Sequence, residues 1–575
     1  MRGKGIWLIV GIVLIGLGGF LATTAQTANG VTVSDIRFRG AAGNTMGALL
    51  YVPRTATALE PAPAILAVHG YINSRETQSS FAIEFARRGY VVLAIDQTGH
   101  GTSDPPALAH GFGGPDALAY LRGLDIVDKN NIGLEGHSMG GWAVLAAAAA
   151  MPRDYKAMVL VGSATGKPFA ADGTPTWPRN AAVVFGQYDE FADLMWGVAR
   201  GRDAAASPKL WALFGSSGTV EPGRVYGEIA KGTGRALYMP AVTHPGEHLS
   251  REAVAASLDW FAQTLQGGRP LPGDDQLWPR KETGTALALI GFVALLIGVF
   301  DALLALPAFA ALRLSRASGA AAVTPPQPTG AVKAAILILS ALVPALTYYP
   351  ALALGGTFIT PMKWLPQGIT NQILVWALIN AVIALALAPF APKRARRVSI
   401  IVPSVVIAAI TVIAGLVALR LTDLAFKSDF RFWVVALKPM SPKQWLIFAI
   451  YVVPFTAFFA IALHVLHRNF SRPDAPAAGA YLTSIAALTL GFAVLLAVQY
   501  GALALTGRLI NPLPDPTFVP LSTILAIQFV PLLAAVAVVS TFTFRRTGSS
   551  LPGTLICGPV VTWYIVAGTA TQAVL

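Results

Sequence analysis

The chain has 575 residues, 54% of them hydrophobic and only 12% charged, a composition typical of membrane proteins that excludes one compact water-soluble domain. Its formal charge of +13 does not point to nucleic acid, because the polar half has no basic face interleaved with aromatics and many Lys and Arg fall in short connectors between apolar runs. A single cysteine, Cys557, excludes a disulfide framework and a CxxC zinc site, and the eight histidines show no HExxH-like spacing, so no metal or other cofactor is expected.

The chain opens with MRGKG and then an apolar stretch from Ile6 to Ala22, a basic start followed by about the length that crosses a bilayer. Thr23 and Ala25 offer a weak small-x-small cleavage site, but the stretch is long for a signal peptide and reads as an uncleaved signal anchor within residues 1–29. Residues 30–281 mix charged, Pro/Gly and apolar segments and are expected to form a water-facing domain outside the cytoplasm.

In that domain AILAVHG (64–70) reads as an apolar strand ending in His69-Gly70, and NSRETQSSFAIEFARRGY (73–90) as a capped helix ending at Gly89. YVVLAID (90–96) is the next strand and runs into Asp96-Gln97-Thr98-Gly99-His100-Gly101-Thr102-Ser103. ALAHGFGGPDALAYLRGLD (107–125) is a Gly/Pro-rich loop and then a helix; His110 and Phe112 there are read as loop packing rather than substrate contacts. NIGLEGH (131–137) is a buried strand and MGGWAVLAAAAAM (139–151) an Ala-rich helix, so Ser138 stands at a strand-to-helix junction inside G-x-S-x-G. The chemistry explains the spacing: a nucleophile presented on a sharp turn needs glycines on either side, so that strand and helix approach without a clashing Cβ.

HG after one strand, D-x-x-G-x-G-x-S after the next and GHSMGG after a third resemble the α/β-hydrolase superfamily, of the dienelactone-hydrolase or acyl-esterase kind. The resemblance covers most of residues 45–265. It implies an α/β fold, a mostly parallel sheet flanked by helices, and a Ser, acid, His order along the chain. AAVVFGQYDEF (181–191) makes Asp189 the natural acid; Glu190 and Asp193 are available as replacement acids if the turn is off by a residue, but are otherwise read as solvated. RALYMPAVTHPGEHLS (235–250) offers His244 as base, with His248 as the alternative. The backbone N–H groups of Tyr71 and Met139 would hold the oxyanion. His137 reads as a packing residue of the elbow, His69 and His100 as loop braces, and Asp96 as structural. Segments 163–180 and 190–233 are too long for connectors and suggest a lid.

Eight further apolar runs, at about 285–312, 334–354, 372–391, 398–420, 445–466, 478–506, 520–543 and 551–574, make residues 282–575 an all-α polytopic domain. RLSR (313–316) with Lys333, KRARR (393–397), HRNFSR (467–472) and FRRTG (544–548) fall on alternate connectors, which become cytoplasmic if residues 30–281 lie outside. The outer stretch 421–444 also carries Lys427, Arg431, Lys438 and Lys443; DFRFWVV (429–435) reads as an interfacial element with Trp433 and Trp445 as bilayer-surface anchors. Asp301, Asn380, His464, Gln499 and Gln528 lie in or near spans, and Asp301, without a matching charge deep in another span, reads as a helix-to-helix hydrogen-bonding group. Together these features predict a multi-pass plasma-membrane serine hydrolase. It would cleave an ester, thioester or amide of a small or lipid-like acyl substrate, with the bilayer and no nucleic acid as partner. The alternative is a transporter or membrane binding protein with a hydrolase-like domain.

Overall fold

A strand that is apolar on both faces is stable only where helices cover both sides of a parallel sheet, and Ala62–Val68 is buried at every position. The computed structural model describes residues 5–314, 330–387, 398–470 and 476–568. The KRARR connector, the ends of RLSR and HRNFSR, the first four residues and residues 569–574 of the last run lie outside the described residues. In chain order the first half contains α1 (Ile6–Gln26), β1 (Thr32–Arg39), β2 (Thr45–Val52), β3 (Ala62–Val68), α2 (Ser79–Arg87), β4 (Val91–Ile95), α3 (Gly114–Gly123), β5 (Val127–His137), α4 (Met139–Ala150) and β6 (Ala157–Val161). It continues through β7 (Ala181–Val184), α5 (Ala192–Trp196), α6 (Pro208–Phe214), β8 (Val225–Tyr226), β9 (Arg235–Tyr238) and α7 (Arg251–Thr264).

The nine strands form one sheet in the order β1-β2-β4-β3-β5-β6-β7-β9-β8. Strands β4, β3, β5, β6, β7 and β9 are parallel, while β1 and β2 are antiparallel at one edge and β8 at the other. Helices α2 and α7 cover one face, joining Phe81 and Phe85 to Trp260 and Phe261; α3 and α4 cover the other, with Leu118, Leu121, Val144 and Leu145. The chain moves outward from β3 to β4, then returns to β5 on the other side of β3. Loops after β3 and β5 therefore part at this switch point, the position beyond the carboxyl ends of the strands where open α/β sheets place their ligand crevices.

The expected helix over 73–90 divides into a tight turn at Arg75–Gln78 and α2. Tertiary contacts decide this, because the Arg75 N–H donates to Asp96 Oδ1 at 2.9 Å and its guanidinium to Asp35 at 2.8 Å. Between β7 and β9, where a lid was expected, α5, α6 and a short 3-10 turn at Gly201–Ala206 pack Trp196 and Leu213 onto the sheet core.

The second half contains α8 (Trp278–Leu304), α9 (Gly330–Leu346), α10 (Tyr348–Phe358), α11 (Gly368–Leu387), α12 (Ile401–Phe426), β10 (Phe430–Phe432), β11 (Val435–Leu437), α13 (Pro442–Phe470), α14 (Ala477–Thr506), α15 (Val519–Thr547) and α16 (Leu551–Gly568). Among the described residues nine helical segments, α1 included, are long and apolar enough to cross a membrane, α9 and α10 counting as one broken span. The break at Thr347 follows Pro344, which removes a helix hydrogen bond. Asp301 is not alone: its Oδ1 lies 3.2 Å from Arg546 Nε at the end of α15. The stretch around 429–437 is a hairpin, β10 paired with β11, and Trp433 is docked on the sheet domain rather than held at a bilayer surface, its Nε1 donating to Pro245 O at 2.6 Å.

Helices α1 and α8 run antiparallel in close contact, and glycine makes this approach possible. A Cβ on Gly18 would lie 2.3 Å from Gly284 O, one on Gly298 2.2 Å from Leu8 N, and one on Gly11 2.6 Å from Leu295 N, so the backbones meet where only small residues fit. Gly16 has no atom within 4 Å of such a Cβ. Gly18→Leu is therefore expected to destabilise the protein by about 1–3 kcal/mol through overpacking, and Gly16→Leu to leave it unchanged. Thermal unfolding of both in the same detergent checks this, and equal melting temperatures would refute the packing account.

Candidate active site

Ser138 connects β5 to α4 with φ 55° and ψ −122°, a backbone that a side-chain-bearing residue adopts only when its surroundings impose it. They do so from both sides. A Cβ on Gly136 would lie 2.3 Å from Gly140 O, and one on Gly140 2.0 Å from Val68 O, so the first turn of α4 is pressed onto the end of β3. Ser138 N donates to Val161 O at 2.8 Å, tying the turn to the neighbouring strand. Ser138 itself is partly exposed, whereas His137 and Met139 are buried.

The loop after β3 lies against this turn: a Cβ on Gly70 would meet Ser138 Cβ at 3.1 Å. Tyr71 follows, packed against both the sheet core and the helical bundle. His69 and His100 brace the loop as expected, His69 Nε2 accepting from Gln97 N at 3.1 Å and His100 Nε2 from Ile72 N at 3.3 Å. Asp96 fixes the adjoining turn, accepting from the N–H groups of Arg75 and Thr102.

Asp189 and His244, expected from two separate strand ends, are paired: His244 Nδ1 lies 2.8 Å from Asp189 Oδ2, and both are buried. Burial opposes a charged imidazole, but the charge and hydrogen bond of Asp189, with Glu190 adding, outweigh it and raise the His244 pKa. His248 has no such partner. Its ring packs 3.9 Å from the His137 ring centroid, and burial, then the charges of His244 and Arg431, push its pKa down to about 3. His137 packs as expected, 4.7 Å from the His244 ring, with Nε2 donating to His244 O at 3.1 Å.

The acidic residue beside Asp189 departs from expectation. Glu190 is only partly exposed and both its oxygens are engaged: Oε2 accepts from His244 N at 2.7 Å and Oε1 from Tyr500 OH at 3.0 Å. Burial and then the charge of Asp189 push its pKa up to about 7. Tyr500 lies in α14, 310 positions away, and nothing in the local sequence marks it. Glu247, also unmarked, is buried with Oε1 accepting from Gly186 N at 2.7 Å. Ligand-type atoms of His137, His244 and Glu247 lie within 4.8 Å of one another, a spacing that a metal ion can bridge. Both rings there are engaged in protein contacts, His137 with His244 O and His244 with Asp189. The spacing was invisible in sequence because two of the three side chains come from a different loop than the first.

Residues 60–188 match the family model described as serine aminopeptidase, S33. The sheet domain has the α/β-hydrolase fold. Among curated proteins, the chain is similar to the monoacylglycerol lipase of Mycolicibacterium smegmatis, 30% identical over 164 residues, which is 27% of this chain and 55% of that protein. It is also similar to a 2-hydroxy-6-oxononadienedioate/2-hydroxy-6-oxononatrienedioate hydrolase of Cupriavidus pinatubonensis, 35% identical over 88 residues, 15% of this chain and 30% of that one. An uncharacterized protein of Mycobacterium tuberculosis is 30% identical over 105 residues, 18% of this chain and 29% of that protein. The chain thus spans between under a third and about half of the length of these relatives. Solved structures of a hypothetical protein from Pseudomonas aeruginosa (18% identity, 42% of this chain and 95% of that one, TM-score 0.30) and of the α/β-hydrolase GrgF from Penicillium sp. (16%, 41% and 100%, TM-score 0.29) are also similar.

The contact between α4 and β3 generates a test of the elbow. Gly140→Val is expected to cost roughly 3 kcal/mol or more, because the clashing atom is a backbone carbonyl that cannot turn aside. Chemical denaturation checks it, and a Gly140→Val protein as stable as the wild type would contradict the packing described.

Proposed function

We propose that the protein is a membrane-bound serine hydrolase that cleaves an ester of a small or lipid-like acyl substrate. In this reading Ser138 attacks the carbonyl, His244 takes its proton and returns it to the leaving group, and Asp189 holds the imidazole tautomer and stabilises its charged form. The Tyr71 and Met139 N–H groups bind the tetrahedral oxyanion. The observation that carries the reading is the buried Asp189–His244 pair, 2.8 Å apart, whose histidine packs on the residue preceding Ser138. The M. smegmatis relative, named a monoacylglycerol lipase, supports an acyl ester over an amide. Residues 30–281 would form the hydrolase, outside the cytoplasm, between a retained anchor at 1–29 and a multi-span plasma-membrane domain at 282–575. The continuity of α1 through Ala22 and Ala25, both fully buried, favours retention.

A fluorophosphonate probe is expected to label the wild type and not Ser138→Ala. His244→Ala is expected to lower ester turnover at least about 10³-fold, while His248→Ala retains it; the reverse pattern would move the base to His248, and labelling of Ser138→Ala would refute the nucleophile.

The base must be neutral to act, so activity is lost as pH falls through the His244 pKa. Because that pKa is raised above the ordinary value of 6.5, the acid limb of kcat/KM is expected to have its midpoint above 6.5. A pH profile from 5 to 9 with a midpoint at or below that value would contradict the assigned pairing.

A further inference from the structure

We infer that the transmembrane bundle contributes a positioning residue to the hydrolase site: Tyr500, in α14, fixes the backbone of His244 through the carboxylate of Glu190. This rests on the reading of His244 as the base. Asp189 and Glu190 are adjacent in the chain, yet they reach the same histidine by different routes. Asp189 Oδ2 meets the ring at Nδ1, 2.8 Å away, and Glu190 Oε2 accepts the main-chain N–H of His244 at 2.7 Å. The first contact sets the tautomer and rotation of the ring; the second sets the position of the turn that carries it.

Its own backbone N–H and that of His244 hold Glu190 in the loop, but against two opposing tendencies. Its side chain has three rotatable bonds, and an ionised neighbour in Asp189 drives it toward solvent or a proton. The phenol of Tyr500 supplies the missing restraint, donating to Oε1 at 3.0 Å, and it does so from a rigid helix through a side chain with only two torsions. Without that donor Glu190 would turn away or take a proton. The His244 N–H would then lose its acceptor in a buried turn.

The same turn is held on its other side from the bundle. Trp433 Nε1, in the connection between β10 and β11, donates to Pro245 O at 2.6 Å, and the connector after α14 grips the segment beyond Glu190 through Arg508 Nε and Ala199 O, 3.3 Å apart. Elements of the bundle therefore flank both loops that bring acid and base together. A misplacement of about 1 Å in a catalytic base costs on the order of 10²-fold in rate, so a hydroxyl that touches no reacting atom still matters to turnover.

The experiment uses the full chain in lipid nanodiscs with a p-nitrophenyl acyl ester, comparing the wild type, Tyr500→Phe, Glu190→Gln, the double variant and Ser138→Ala. Tyr500→Phe is expected to lower kcat about tenfold with KM changed less than about twofold, and to slow fluorophosphonate labelling by the same factor at an unchanged melting temperature. In the Glu190→Gln background, Tyr500→Phe is expected to do nothing more, because the path runs through Glu190. The inference is overturned if Tyr500→Phe keeps wild-type kcat, if its effect appears only in KM or melting temperature, or if the two substitutions multiply in full. Turnover that survives in Ser138→Ala would instead overturn the serine-hydrolase reading beneath it.

Discussion

A guanidinium can be taken out of water only where anions and acceptors meet it in fixed geometry, and Arg431 finds them on both sides of the join between sheet domain and bundle. It is 2% exposed. Asp429, in its own hairpin, pairs with Nη2 at 2.7 Å, while Thr77 Oγ1 accepts from Nη1 at 2.7 Å and Glu76 lies 3.9 Å away. Burial raises the Glu76 pKa, but Arg75 and Arg431 together hold it well below the ordinary carboxylate range. Breaking such a buried cluster leaves uncompensated charge, typically at a cost of about 3–5 kcal/mol. The half-exposed Lys443–Asp104 pair at 3.0 Å adds little by comparison. Because Ser74 to Thr77 directly follow the loop of Tyr71, the contact that joins the two parts also braces the candidate active-site edge, and Ile72 is buried in the same apolar cluster as the bundle core.

That edge collects five of the eight histidines, and burial alone treats them alike. It drives His69 and His137 well below the ordinary imidazole value, His100 to about 4 and His248 to about 3. Of these five only His244 moves the other way, because the charge and hydrogen bond of Asp189 at its ring nitrogen outweigh burial, whereas Glu247, 3.1 Å from His137 Nε2, is itself pushed well above the ordinary carboxylate range by burial. The neutral rings then serve as packing and as acceptors of backbone N–H groups, as His69 and His100 do. A single charged partner, rather than exposure or position, separates the candidate base from its neighbours.

This distinction sets the limit of what the sequence reveals. The strand and helix around Ser138, the HG and D-x-x-G turns and the acid after β7 are local patterns, and the apolar runs announce the bundle by length. Their order along the chain was enough to nominate Ser138, Asp189 and His244. Glu190 was read as solvated because a carboxylate at a loop is ordinarily so, and its true partners lie 54 and 310 positions away. Trp433 was placed at a bilayer surface for the same reason: its sequence context is a membrane loop, and the acceptor at Pro245 belongs to the other half of the chain. The helix at 73–90 was overextended because its first turn answers to Asp96 and Asp35 rather than to its own caps. What escapes sequence reading is uniformly long-range and polar.

The close pairing of α1 and α8 gives these long-range contacts a common origin. Between helices apolar enough to cross a membrane, backbone approach at small residues supplies much of the attraction. Gly18 against Gly284 and Gly298 against Leu8 do this along the whole pair. The sheet domain is strung between Gln26 at the end of α1 and Trp278 at the start of α8, and both of its ends therefore leave the bundle at one place. A domain tethered at two adjacent points loses most of its freedom to turn or withdraw, which reduces the entropy that its docking contacts must overcome. Hydrogen bonds as modest as Tyr500 to Glu190 or Trp433 to Pro245, each worth about 1 kcal/mol between free partners, can then hold the loop of the candidate base in register. The glycine seam supplies the alignment, and the polar contacts at the candidate active-site edge need only refine it.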